Sequence, residues 1–325
     1  VLRIHFTPED LGRTRVATTP DPLWESMLSL HRLRARDGTV VFGPWRTQVR
    51  ANLAAADALP NLRMLLPLVP QTGYFPDFLT PADARAGWQA GIDALLHTPT
   101  TRLRAELELL AGRQDLPTWA ADLANGDQAL LHRLATALTT YYDLAIAPFT
   151  AALQAQLDSD RALRARSVLD GGSEGLLASL RPLMRWQNPV LEVDYPTSQE
   201  LHLEGRGLLL VPSFFCWQYP ISLLDPTQPP VLVYPVEKDP SWFGRTPRTA
   251  APAIAALLGG TRAAVLAAVG AGCTTGELAR RLCISPASAS QHTTVLRNAG
   301  LITSRRNGPV VLHTLTPLGD RLLTG

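Results

Sequence analysis

Cysteine is scarce in this chain. Cys216, Cys273 and Cys283 are the three among 325 residues, and so sparse and odd a set excludes a disulfide framework and suits a reducing compartment. Long apolar runs are missing as well. The longest candidate, Gly207 to Trp217, is interrupted by Pro212 and falls short of the ~18 residues that span a bilayer. The opening VLRIHFTPED lacks the basic-then-apolar pattern of a secretory signal, so the expectation is a cytoplasmic protein without a membrane partner. Lysine is almost absent, since of the 30 basic residues only Lys238 is not arginine; this is a bias of composition and carries no mechanism. No phosphate-binding loop, metal-ligand cluster or convincing catalytic triad can be found, and the chain is expected to be neither an enzyme nor a cofactor binder.

What is present is a globular composition, 46% hydrophobic and 18% charged, long enough for more than one domain. The net charge of +2 hides an asymmetry. From Ala255 onward seven arginines face two acids, leaving +5, while the remainder carries 23 basic and 26 acidic residues, leaving −3. A small basic module on a faintly acidic body is the footprint of nucleic-acid binding.

Helical periodicity dominates as far as about Leu180: Pro22–Arg36, Trp45–Leu59, Pro81–Leu96, Thr101–Leu110 and Asp127–Leu157, the last broken or kinked at Pro148. Leu2 to Phe6 alternates like a short strand. After Pro189, β-branched and aromatic runs broken by Pro and Gly predict three or four strands in a small, mostly antiparallel sheet. Glu237 to Pro252, with three prolines, reads as a linker. The fold class expected is therefore α+β: a mostly helical domain with a small sheet over 1–252, and a winged helix-turn-helix over 253–325.

That second assignment rests on local chemistry. Thr261–Val269 is amphipathic and ends at Gly270 and Gly272. Thr274 with Glu277 three residues on forms a capping box. Ser285 and Pro286 suit the N-cap and first turn of the next helix, which Gly300 ends. On that helix Ala289, Thr293, Leu296 and Ala299 gather on one side, and Ala287, Gln291, Thr294 and Asn298 on the other, short, polar and free of acid. A major groove accepts such a face. Strands Leu301–Arg306 and Val310–Leu315 joined at Asn307-Gly308 make a hairpin with Arg305 and Arg306 at its tip.

The stretch TTGELARRLCISPASASQHTTVLRNAGLITSRRNGPVVLHTLTPLG resembles the winged helix of ArsR-type repressors. Its shared features are ELA, the I-S-P turn, Ser290 to His292 as S-x-H, VLRNAGLI, the R-x-G wing and LTPLG, and the likeness covers Leu257–Gly325, about a fifth of the chain. TPEDLGRTRV, DPLWESMLSLHRL and FGPWR are similar to a domain, without assigned chemistry, fused ahead of this winged helix in actinobacterial regulators. The resemblance implies a homodimeric repressor on an inverted-repeat operator in duplex DNA. Metal-sensing members carry cysteines where Thr274, Gly276 and Ala279 stand here, so thiolate metal sensing is not implied, and Thr293 replaces a large apolar residue. The short final helix moves the expected dimer contact to the N-terminal part.

The DNA-contacting candidates are Thr274, Thr275, Ser285, Ser288, Ser290, Gln291, His292, Thr294, Arg297, Arg305 and Arg306. His292 has two readings: the resemblance implies a DNA role, while the helical wheel places it beside the apolar face as a packed, hydrogen-bonded residue. Gly171-Gly172-Ser173-Glu174-Gly175 matches the hydrolase elbow G-x-S-x-G, but a charged helical stretch precedes it instead of a buried strand, so a loop opening a helix at Leu176 is expected. Cys273 and Cys283 read as packing residues before redox sensors. The aromatic-rich first domain is expected to bind a small apolar effector near its helix-to-sheet junction, its residues unassigned. The rival classes are an enzyme fused to a regulatory winged helix and a winged-helix protein-interaction module.

Overall fold

The computed structural model describes residues 1–325 apart from 72, 224–227, 244–253, 271, 308–309 and 325, and apart from the side chains of 241, 307, 310 and 324. The chain divides into two compact units, Val1–Trp242 and Phe243–Gly325. Most of the expected linker lies outside the described residues.

The first unit is α+β. It opens with β1 (Leu2–His5), α1 (Pro8–Arg13) and β2 (Arg15–Val16), followed by α2 (Pro22–Arg34), α3 (Thr39–Ala55) and α4 (Leu59–Leu65). Then come α5 (Trp88–Leu96), α6 (Thr100–Ala111), α7 (Trp119–Ala124), α8 (Gln128–Ala145) and the long α9 (Thr150–Ala178). Strands follow: β3 (Met184–Gln187), β4 (Val190–Val193), β5 (Gln199–His202), β6 (Leu209–Ser213), β7 (Ile221–Ser222) and β8 (Val231–Pro235).

Local sequence explains most boundaries. Asp21 caps α2 by accepting from the amides of Leu23 and Trp24, both at 3.1 Å, with Pro22 in the first turn. The α8–α9 break falls at Pro148, inside a single turn of 3₁₀ helix, Ala147–Phe149. Two departures are instructive. Helix α3 starts at Thr39 and runs through Pro44, because burying Val41, Phe42 and Trp45 outweighs the one hydrogen bond the proline forfeits. The expected helix over Pro81–Leu96 splits into a 3₁₀ segment, Ala82–Ala86, and α5, because Gly87 sits at φ 129°.

The predicted loop at the G-x-S-x-G stretch is instead a kink within α9. Gly171 and Gly172 leave helical geometry, Gly172 at φ 59°, and helix resumes at once. A Cβ at Gly175 would meet the Ser167 carbonyl oxygen at 2.5 Å, so the tight bend needs glycine there. The Ser173 hydroxyl donates to the Leu11 carbonyl at 2.7 Å.

The strands form two sheets, both mixed, where a single mostly antiparallel one was expected. The first has order β3-β4-β1-β5, with β1 antiparallel to β4 and parallel to β5. The second has order β2-β6-β8-β7, with β2, β6 and β8 parallel and β7 antiparallel at the edge. Strand periodicity marks where a strand lies and says little about its partner. Here the N-terminal β1 and β2 pair with β5 and β6, strands about two hundred residues later, a parallel arrangement that long crossovers permit.

Rings fill the junction of helices and sheets. Phe42 contacts Phe214, Phe215 and Trp217; Trp45 packs on Phe215 and donates its indole N–H to the Ala145 carbonyl at 2.9 Å. Glu25, fully buried on α2, accepts from the amides of Phe214 and Phe215 at 2.8 and 3.0 Å. Burial pushes its carboxyl up to about 7 although those amides favour the charged form. Cys216 is buried beside them, as expected.

The second unit contains the helix Gly260–Val269, the short strand β9 (Cys273–Thr274), the helix pair Thr275–Arg281 and Pro286–Asn298, strands β10 (Ile302–Asn307) and β11 (Val310–Leu315), and a final helix Pro317–Thr324. It is a winged helix-turn-helix. Its core is Val265, Leu266, Val269, Cys273, Leu278, Ala289, Leu296, Leu301 and Ile302, all buried. Among the described residues of either unit no helix is long and apolar enough to cross a membrane.

Candidate nucleic-acid interface

The first helix of the pair is set by its ends. Thr274 caps it: its hydroxyl accepts from the Glu277 amide at 3.3 Å, and the Glu277 carboxylate accepts from the Thr274 amide at 2.8 Å. The reciprocal bonds satisfy two of the donors that a helix start leaves unpaired. They also hold the Glu277 carboxyl below its ordinary value, the Thr274 amide and hydroxyl being the main causes. The first of the unit's two acidic side chains is thereby tied to a helix start.

The turn closes as a Schellman motif. Ile284 N–H donates to the Ala279 carbonyl at 3.0 Å and Cys283 N–H to the Arg280 carbonyl at 3.3 Å. The geometry puts Cys283 at φ 52°, where glycine or asparagine is the usual occupant. Three residues, Leu282 to Ile284, therefore redirect the chain. Ser285 then caps the second helix by accepting from the Ser288 amide at 3.1 Å, with Pro286 in its first turn.

That second helix presents two unlike faces. Ala289, Thr293 and Leu296 are buried; the Thr293 hydroxyl bonds back to the Ala289 and Ser290 carbonyls at 3.0 Å each, which lets a polar residue sit in the apolar seam. Ala299, expected on that side, is exposed, because it is the C-cap and the helix ends at Asn298. On the opposite side Ala287, Ser290, Gln291, Arg297 and Asn298 are exposed and Thr294 is half-buried. Among the described residues the side chains of Ser290, Gln291, Thr294 and Arg297 make no hydrogen bond within the chain. His292 is half-buried and likewise has no hydrogen-bond partner among them, so the structure does not provide the bonds of a packed histidine.

The sequence-predicted residues thus sort into two groups. Thr274, Thr275 and Ser285 spend their hydroxyls inside the protein and position the helices. Ser290, Gln291, Thr294 and Arg297 share one outward face, with half-buried Ser288 a turn earlier. Arg305 and Arg306 are exposed on β10, which pairs with β11 through Arg305↔Leu312, Arg306↔Val311 and Asn307↔Val310. The predicted Asn307-Gly308 turn reaches outside the described residues at position 308.

Three features went unread in the sequence. The wing sheet has a third strand, since β9 pairs with β11 through Cys273↔His313 and Leu312↔Thr274. Buried His313 bridges β10 and the first helix, its Nδ1 2.8 Å from Ser304 Oγ and its Nε2 2.9 Å from Thr275 Oγ1. Gly319 lies so close to Leu301 that a Cβ would sit 2.0 Å from the Leu301 carbonyl oxygen. Strand parity alone could have put His313 on the inner face. Buried Cys273 belongs to the core, its thiol pushed up by burial, whereas Cys283 is exposed.

Residues 257–305 match the family model of the helix-turn-helix domain. No curated protein and no solved structure matches the chain. A helix pair of this geometry, a basic wing and that match define a DNA-binding, transcription-regulating module in general terms.

Proposed function

We propose that the chain is a cytoplasmic, dimeric, ArsR-like repressor that binds an inverted-repeat operator and whose DNA affinity is set by a small molecule held in the first unit. The observation that carries this reading is the acid-free outer face of Pro286–Asn298, whose polar side chains lack hydrogen-bond partners among the described residues, beside exposed Arg305 and Arg306. Ser288, Ser290, Gln291, His292 and Thr294 take base edges or nearby phosphates; Arg297, Arg305 and Arg306 take phosphates. Two such helices enter major grooves about one helical turn (~34 Å) or a multiple apart. The chain is not an enzyme: the one hydroxyl in a nucleophile-like motif, Ser173, is committed to the Leu11 carbonyl, which supports a structural role. The test is capture of fragmented genomic DNA by the purified protein, with Arg305→Ala/Arg306→Ala in parallel. A few strong peaks sharing an inverted repeat, weakened in the variant, are expected. Absence of enrichment at low salt, with and without cell extract, would overturn the proposal.

A further inference from the structure

The first unit has a cleft of about 310 Å³ where α2, α3 and the start of α4 meet. Leu33, Leu53, Leu59 and Leu62 line it, together with Arg34 and Arg50. Its size is at the lower end of small-molecule sites.

The two guanidinium groups are among the arginines of this unit that have no carboxylate beside them among the described residues. Arg3, Arg13, Arg32, Arg102, Arg161, Arg164 and Arg185 each lie against a carboxylate. Arg34 and Arg50 do not, and neither does Arg46 one turn before Arg50; no carboxylate of the described residues is within salt-bridge distance of any of the three. Arg34 donates from Nε to the Leu30 carbonyl at 3.2 Å and from Nη2 to the Val69 carbonyl. Arg50 donates from Nη2 to the Leu33 carbonyl at 2.8 Å. A guanidinium has five N–H donors, so both retain several. The excess positive charge is felt nearby. His31, one turn before Arg34, is held neutral down to about 3, by burial first and then by Arg34 and Arg32. Asp37 answers Arg32 and acts on Arg46 from a distance, but among the described residues no carboxylate lies against Arg34 or Arg50.

We infer that this cleft binds an aliphatic monocarboxylate, its chain among the four leucines and its carboxylate on Arg34 and Arg50. The pairing is the bidentate kind that guanidinium groups make best. Its role as the effector rests on the function proposed above; the binding itself does not.

Isothermal titration of the full chain with octanoate, octanol and inorganic phosphate tests it. Octanoate should saturate one site per chain, at least tenfold tighter than octanol or phosphate. Arg50→Gln and Leu59→Gln, both at exposed positions, should each weaken octanoate at least tenfold while keeping wild-type thermal melts. No saturable octanoate binding, equal binding of octanol, or unchanged binding in both variants would overturn the site. Operator binding with and without octanoate separates the two ideas. Binding that leaves DNA affinity unmoved upholds the site and removes the effector role. DNA affinity that responds to another metabolite while octanoate fails to bind does the reverse.

Discussion

The hydroxyl of Thr275, at the start of the first helix of the pair, lies 2.9 Å from Nε2 of His313 in the last wing strand. With the Nδ1 contact to Ser304, one imidazole fastens both wing strands' midsection to the helix pair. A neutral ring can donate from one nitrogen and accept at the other, and two hydroxyls can adapt to either tautomer. A protonated ring would have to donate at both, in a buried place close to the positive charge of Arg297. His313 is accordingly lowered from its ordinary value, by burial first and by Arg297 second.

The sign of the pH effect follows. Above the ordinary histidine value of about 6.5 the ring is neutral folded and unfolded, and contributes no pH dependence. As pH falls through that value the unfolded state takes up a proton that the folded state resists, so stability of the second unit falls. His313→Gln, which keeps a donor and an acceptor without titrating, should flatten this slope. All seven tryptophans precede Phe243, so fluorescence does not report on this unit. Amide hydrogen exchange over 260–320 does. An equal acid slope in wild type and variant would refute the assignment.

Cys283 offers a second test. Its φ of 52° is costly for any side chain and most of all for a β-branched one. Cys283→Val should destabilise the second unit by about 1–2 kcal/mol. Cys283→Gly should be within about 1 kcal/mol of wild type, since relief of the left-handed strain is offset by glycine's larger unfolded-state entropy. Exchange protection in Ala279 to Ser285 is the direct readout, because the Schellman bonds close there.

Gly319 tests the close approach of the final helix. The Leu301 carbonyl accepts from the Thr316 amide at 3.1 Å, and the Thr316 hydroxyl accepts from the Gly319 amide at 3.0 Å. With a Cβ only 2.0 Å from that carbonyl, Gly319→Ala has to push the helix off the core that Leu322 and Leu323 join. A loss of about 2–4 kcal/mol is expected, with exchange protection lost from Pro317 onward. Retained protection there would show that the helix can shift at little cost.

The winged helix was legible because its signals are local. A capping box, a Ser-Pro start and a two-faced helix each lie within a few residues, and each appears at its predicted position. The first unit was not legible in the same way. Strand β1 was visible as an alternating run, yet its partners β4 and β5 are almost two hundred residues away, and no periodicity encodes such pairing. Periodicity places a helix start at Trp45, whereas α3 begins at Thr39 and runs through Pro44, because periodicity does not register the burial of Val41 and Phe42. The pairing of His313 with Thr275 and Ser304 needed three separate segments in register. The outward face of the second helix could be read from its periodicity; that its side chains find no hydrogen-bond partner among the described residues could only be seen in the fold.

Single substitutions should separate positioning from reading on DNA. Arg305 and Arg306 stand on the wing, where phosphate contact is sequence-independent. Their double alanine variant should weaken operator and non-specific DNA alike and lower the slope of log affinity against log salt by about 2, one released counterion per arginine. Gln291, exposed on the outer face, is the residue proposed to take a base edge. Gln291→Ala should leave the salt slope unchanged and cost about 1–3 kcal/mol on the operator alone, with discrimination relaxed at one base pair per half-site. Thr275→Val, which removes only the hydroxyl held by His313, should weaken DNA binding through wing placement, and its loss should shrink in a His313→Ala background, which has no ring nitrogen left to hold it, because the two act on one bond. Additive losses in that cycle would mean that Thr275 touches DNA itself.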